Sequence, residues 1–192
     1  MEITVIMQIS LDGVMQAPGR PDEDTRGGFE RGGWAIPQMD EVIGKVMGEG
    51  MASGGALLFG RRTYEDLYGY WPKQKDNPFT EVLNKVQKYV ASTTLKEPLP
   101  WSNSTLLQGD AAKTVAKLKK QPGKDIGVLG SGKLVQTLMQ HHLVDRLQLL
   151  IHPLVLGSGH RLFANGSPFT TLRLVDCTTS TTGVMIANYA AK

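Results

Sequence analysis

Short apolar runs alternate with segments of helical periodicity through most of this chain, and that alternation restricts its fold more than any other feature. Residues 3–9 are apolar and β-branched enough for a buried strand, and 56–59, 88–92, 104–107 and 126–129 are further short runs of strand character. Residues 37–51 carry Met39, Val42, Ile43, Val46 and Met47 at helical spacing, with Pro37 suited to a first turn. Residues 61–70 read as a helix stopped before Pro72, 110–121 as a helix capped by Asp110, and 133–142 as another. The tail reads as strands over 146–156, 172–179 and 184–190, the last two as a closing antiparallel pair. Strands that alternate with helices need crossover connections. The order therefore predicts an α/β fold: a mixed, mostly parallel sheet, antiparallel at one end, with helices on both faces. At 192 residues, with no repeat or low-complexity tract, 1–192 is expected to form a single domain. One stretch, 12–36, breaks the pattern with its Gly, Pro, Asp and Arg residues. A loop that long inside a compact domain is either disordered or functional.

Composition narrows the class further. Cys177 has no partner in the chain, which excludes a disulfide-rich secreted module and leaves it the reading of a small buried strand residue. No apolar run approaches the roughly 18 residues of a membrane span. The opening MEITVIMQIS carries Glu2 and no basic region, unlike a signal peptide, so a cytoplasmic location without a membrane partner is expected. The net charge of +3 and pI near 9.0 suit an anionic ligand. They do not point to nucleic acid: Lys113, Lys117 and Lys120 recur at helical spacing opposite Val115 and Leu118, as on a solvated helix face, and no aromatic residues interleave. His141 and His142 suit a helix end, and His152 and His160 lack ligand-spaced partners, so no metal site is expected.

Three strand ends run into glycine or hydroxyl residues and then a helix or turn: Phe59-Gly60-Arg61-Arg62-Thr63, Val90-Ala91-Ser92-Thr93-Thr94 and Leu129-Gly130-Ser131-Gly132-Lys133. In an open α/β sheet, ligands bind outside the carboxyl ends of the strands. A helix N-terminus there offers free N–H groups to a phosphate, glycine lets the backbone approach, and arginine pairs phosphate in a fork. The three together point to a phosphate-bearing ligand, with ordinary strand-to-helix punctuation as the alternative. Gly127 to Lys133 imitates a P-loop, but Leu134 stands where a Ser or Thr must hold magnesium. A dinucleotide fingerprint starting at Gly130 fails because Val135 holds the third glycine position.

Taken in order, Ser10-Leu11-Asp12-Gly13, Gly60-Arg61-Arg62-Thr63-Tyr64-Glu65, Gly130-Ser131-Gly132 and Pro153-Leu154-Val155-Leu156-Gly157-Ser158-Gly159 resemble the dihydrofolate-reductase-like superfamily. Within it, the Ser-x-Asp-Gly start and the late Gly-x-Gly are closest to the reductase domain of bacterial riboflavin biosynthesis and its uncharacterised relatives. The resemblance implies a mixed sheet flanked by helices with NADPH across the strand ends. It implies phosphate contacts from Gly60, Arg61, Arg62 and Thr63, with an arginine favouring the 2′-phosphate. Ser92 and Thr93 match the hydroxyl pair beside the adenosine ribose phosphate, and Gly130, Ser131, Gly132 and Lys133 the turn under the pyrophosphate.

On the substrate side, Trp34-Ala35-Ile36-Pro37-Gln38-Met39-Asp40 resembles the family's Trp-x-x-Pro stretch followed by an acid. The resemblance makes Asp40 the catalytic acid, with Glu41 as its neighbour. A carboxyl in an apolar pocket would have a raised pKa and relay a proton, whereas an acid in a first helical turn also serves the helix dipole. Asp12 organises the turn beside the nicotinamide, or simply forms a turn before Gly13. Tyr68, Tyr70 and Trp71 line a pocket or pack the core. Two departures stand out: a loop before Trp34 longer than the family's, with Asp22, Glu23 and Asp24, and Val135 where an aromatic follows the glycine turn. The resemblance implies a reductase moving hydride from NADPH to a small pterin- or aminopyrimidine-like heterocycle, with the long loop closing over it. It is compatible with a homodimer. A nucleotide-binding protein without turnover is the alternative.

Overall fold

The computed structural model describes residues 1–52, 55–163 and 165–192. In chain order the elements are β1 (Ile3–Ser10), α1 (Glu41–Ala52), β2 (Ala56–Gly60), α2 (Arg61–Tyr70), α3 (Pro78–Lys85), β3 (Lys88–Ser92), β4 (Ser104–Gln108), α4 (Ala111–Lys119), β5 (Ile126–Leu129), α5 (Gly132–Gln140), β6 (Arg146–His152), β7 (Leu172–Thr179) and β8 (Met185–Ala191). The strands form one sheet in the order β4-β3-β2-β5-β1-β6-β8-β7. The first six in that order are parallel, and β8 and β7 complete the sheet antiparallel.

Both faces of the sheet are covered, which is why β2 reads as a continuous apolar run rather than an alternating one. On one face Ile3, Val5, Met7 and Ile9 meet Val115 and Leu118 of α4 and Leu134, Val135 and Leu138 of α5. On the other, Ile6, Leu150 and Ile186 take Ile43, Val46 and Met47 of α1, while Leu57, Phe59 and Val90 take Tyr64 of α2 and Leu83 of α3. Each fully buried aliphatic side chain contributes roughly 1.5–3 kcal/mol. Among the described residues no helix is long and apolar enough to cross a membrane.

Several boundaries differ from the sequence expectation for local reasons. The helix expected over 37–51 starts at Glu41, because Ile36–Gln38 forms a separate 3₁₀ turn with Pro37 at its start. The strand expected to reach 156 stops at His152, since Pro153 has no N–H for the ladder. Helix α3 was not expected. Asn77 caps it by accepting from the Phe79 N–H at 3.0 Å, Pro78 opens its first turn, and Leu83 is its buried anchor. The fully buried Lys88 closes its other end, donating to the Leu83 and Val86 carbonyls at 2.6 and 2.8 Å beneath the Trp101 ring. Cys177 is exposed rather than buried, because β7 is an edge strand that no helix covers.

The stretch 12–36 is ordered around a core of its own, made by Val14, Ala17, Phe29, Trp34, Ala35 and Leu156. Gln16 is its hub. Its amide donates to the Asp24 and Arg26 carbonyls, its side-chain oxygen accepts from the His160 N–H, and its carbonyl accepts from the Trp34 indole at 2.7 Å. The acidic run has structural work: Glu23 accepts from the Gly19 and Arg20 N–H groups, and Asp24 pairs with Arg26. Gly159, at φ +115°, is required for this packing. A Cβ there would lie 2.7 Å from Val14 Cγ1 and 2.9 Å from Phe29 Cε2.

Candidate functional site

All six parallel strands finish at the same sheet edge. Because β3, β2 and β5 are neighbours, the turns after Ser92, Gly60 and Leu129 line up side by side, followed by the ends of β1 and β6. The chain runs outward from β2 to β4 on one side and returns to β5 beside β1, the kind of switch point where α/β sheets bind ligands.

The turns after β2 and β5 are joined. Ser131 adopts left-handed backbone at the start of α5, yet its hydroxyl does not cap that helix. It accepts instead from the Gly60 N–H at 2.8 Å, just ahead of α2, which also has no side-chain cap. Gly130, at φ +58°, lets the backbone pass so close that a Cβ would sit 3.2 Å from Thr63 Cγ2. The first N–H groups of two helices thus converge without side-chain partners, and both dipoles favour an anion there. Arg61 pairs with Glu65 at 3.2 Å across exposed side chains, an arrangement a phosphate can displace at little cost. The side chains of Arg62 and Lys133 are exposed and make no hydrogen bond or ion pair among the described residues, and Thr63 is half-buried. In the neighbouring turn, Ser92 is buried and its hydroxyl accepts from the Thr94 and Leu95 N–H groups at 3.1 Å, which leaves Thr93 as the exposed member of that pair.

The two candidate acids are both saturated. Asp12 accepts from the Ser10 hydroxyl, the Leu156 and Gly157 N–H groups and the Arg161 guanidinium, tying the end of β1 to the 154–161 loop. Those donors hold its carboxyl well below the usual carboxylate range. Asp40 accepts from the Ile43 N–H at 2.9 Å as the cap of α1, and from the Thr181 N–H and hydroxyl at 2.7 Å and the Thr182 N–H at 3.3 Å. The Ile43 N–H and the Thr181 hydroxyl lead in holding it down to about 2. That is the opposite of the raised value a proton relay needs, and it matches the helix-terminus role. Glu41, the first residue of α1, is exposed.

Trp34 lies over the end of β6, edge-on to His152 with ring centroids 5.2 Å apart. His152, paired through Nε2 to Gln8 Oε1 at 3.0 Å, stands out in the sequence only as a histidine without ligand-spaced partners. A lone histidine before a proline gives no spacing signal. Arg20 was not singled out from the sequence; it crosses from the 12–36 segment to α2, reaching Asp66 at 2.6 Å with its guanidinium 4.3 Å over the Tyr70 ring. Tyr68 packs with Tyr64 and Trp101 in the core, and Trp71 against Tyr70 and Phe79. The 12–36 segment also touches the joined turns, since a Cβ on Gly132 would meet Met15 Sδ at 2.6 Å.

A cavity of about 650 Å³ opens at the other sheet edge between Glu2, Ala56, Val86, Asp125 and Arg146, away from these turns. Its rim charges already answer one another through the Arg146–Glu2 ion pair at 2.8 Å, so it offers nothing comparable to the free N–H groups of the carboxyl edge.

Comparison with known proteins identifies the family and the fold. The RibD C-terminal domain model matches residues 1–186. The uncharacterised protein YyaP of Bacillus subtilis is 34% identical over 134 residues, covering 67% of this chain and 70% of that protein. YwjB of the same organism, also uncharacterised, is 34% identical over 70 residues, covering 36% and 40%. Two crystal structures share the fold across 100% of the chain. One, from Shewanella sp. PV-4 and named for riboflavin biosynthesis, has a TM-score of 0.71 at 18% identity and is covered over 99% of its length. The other, a pyrimidine reductase-like protein from Corynebacterium diphtheriae, has a TM-score of 0.64 at 15% identity and 92% coverage. The chain belongs to the RibD C-terminal domain family, the reductase domain of the riboflavin-biosynthesis type.

Proposed function

We propose that the chain is an NADPH-dependent reductase acting on a small pterin- or aminopyrimidine-like heterocycle. The observation that carries this reading is the pair of uncapped helix N-termini fastened together by Ser131 and Gly60 at the carboxyl edge of the sheet. The residues present fit a dinucleotide. The Gly60–Thr63 and Gly130–Lys133 turns offer backbone N–H groups with glycine clearance, Arg61 and Arg62 suit a 2′-phosphate, and Ser92 and Thr93 border the adjoining turn. When bound, NADPH supplies the hydride, which is the difficult chemistry, and the chain supplies orientation and exclusion of water.

The rest of the proposed mechanism belongs to the chain's own residues. The 12–36 segment, clasped to α2 by Arg20 and to the 154–161 loop through Asp12 and Arg161, forms the cover on the substrate side, with Trp34 as its inner wall. Asp12 and Asp40 keep both ends of that cover in place. Neither holds a proton at neutral pH, so the proton comes from water, from the substrate itself or through Glu41, the neighbour of Asp40. The same saturation favours a second reading, a protein that binds NADPH without turnover.

Titration with NADPH, NADH and Mg-ATP, followed by ligand fluorescence or heat, tests the first reading. Tight NADPH binding, weaker NADH binding and a loss of NADPH affinity on Arg61→Ala or Arg62→Ala are expected. Absence of NADPH binding, with or without added pterin or pyrimidine, sinks it. If NADPH binds but is never oxidised across a panel of pterins and aminopyrimidines, the second reading stands.

A further inference from the structure

His152 ends β6 in register with Ser10 of β1 and is fully buried. Its Nε2 faces the side-chain oxygen of Gln8 at 3.0 Å. An amide oxygen only accepts, so Nε2 carries the proton and Nδ1 is the bare nitrogen. That nitrogen is buried and has no partner among the described residues. Buried acceptors without a donor are rare in folded proteins, and each calls for an explanation, such as a catalytic role or a water or ligand that satisfies it.

The neighbouring donors are committed elsewhere. The Trp34 indole donates to the Gln16 carbonyl at 2.7 Å, and the Ser10 hydroxyl to Asp12 at 2.7 Å. A second unanswered acceptor, Gln38 Oε1, is buried four residues beyond Trp34, in the 3₁₀ turn that follows the covering segment. Both carboxylates of this region are filled by protein donors, so a nitrogen-rich ring arriving here finds its free acceptor in an uncharged group. Burial pushes the imidazole down to about 4, so it stays neutral and accepting through the physiological range.

We propose that His152 Nδ1 is a specificity-determining acceptor that takes a hydrogen bond from a ring N–H or exocyclic amine of the substrate once the Trp34 ring swings off the end of β6. This rests on the reductase reading and adds to it the group that distinguishes amino-substituted heterocycles from bare ones. Gln8 is the positioning residue, since its carbonyl selects the tautomer that leaves Nδ1 open.

The test uses the whole protein labelled with 15N at histidine, with NADPH present, and 2,4-diaminopyrimidine and unsubstituted pyrimidine as probes. His141, His142 and His160 are exposed, so replacing each by Gln in turn identifies the His152 signals without disturbing the core. The expected result is an upfield shift of the bare His152 nitrogen with 2,4-diaminopyrimidine and none with pyrimidine. His152→Phe should bind 2,4-diaminopyrimidine about tenfold more weakly while binding NADPH as the parent does. If NADPH binds but neither probe moves that nitrogen, the proposal is overturned and the reductase reading survives. A nitrogen already hydrogen-bonded in the free protein and unmoved by the probe assigns it to a resident water, which also overturns the proposal. Failure to bind NADPH removes both.

Discussion

Helices α3 and α4 begin under side-chain caps from Asn77 and Asp110, and α1 begins under Asp40, whereas α2 and α5 begin with none. Position in the fold does not account for the difference. Helix α4 follows β4 and starts at the same sheet edge as α2 and α5, yet Asp110 satisfies its Lys113 N–H at 2.8 Å. On the proposed function, the contrast is one of use. Where a helix only has to begin, a carboxylate or amide answers its free N–H groups. At the two neighbouring helices of the switch point, the Ser131 hydroxyl is turned aside to join them, and neither helix start has a side-chain cap.

Several changes would break or sharpen that contrast. The largest effect is expected from Gly130→Val, which forces a β-branched residue into left-handed backbone against Thr63. NADPH binding should fall by about 100-fold or more, and the melting temperature should drop with it. Next, Arg61→Ala or Arg62→Ala should weaken NADPH by about tenfold and NADH less, because a charge-assisted fork to phosphate is lost. Titration of both nucleotides into each variant reads the ratio. Ser131→Ala leaves the Gly60 N–H without its partner and loosens the joint, so a few-fold weaker NADPH binding and a stability loss of about 1 kcal/mol by urea unfolding are expected. On the capped side, Asp110→Ala should cost about 1 kcal/mol of stability and leave NADPH affinity unchanged.

Acid should separate the two kinds of helix start as well. Asp40 has a carboxyl held near 2 against an ordinary 3.8, so the folded state binds that proton less readily than the unfolded chain. Its stabilisation is complete above the ordinary value and is lost as pH falls through about 2. Asp40→Asn should flatten that part of the acid-unfolding curve. The Ser131–Gly60 bond has no titrating partner and should contribute equally on both sides of the window.

Much of the fold was legible because the strands are short, apolar and β-branched and the helices between them strongly periodic. The elements 61–70, 88–92, 126–129 and 172–179 lie where the sequence puts them. Helix α3 was hidden by the Pro and Lys residues around it, although Asn77-Pro78 is a cap followed by a first-turn proline. The three turns were legible for a similar reason, since glycine and hydroxyl residues after an apolar run mark the end of a strand. Their joining was not, because Ser131 reaches a partner 71 positions away that only the sheet order brings near. The substrate side was least legible. The roles of Asp12 and Asp40 depend on loops and a hairpin more than 140 positions distant, and His152 acquires its character from burial and from its pairing with the distant Gln8.

The most direct measurement is the response of backbone amide signals to NADPH in the 15N-labelled protein. The account predicts that saturation moves the amides of Gly60–Thr63 and Gly130–Leu134 well beyond those of Ala112 and Lys113 at the capped start of α4. Binding that leaves both joined turns unmoved, or shifts all three helix starts alike, would contradict it.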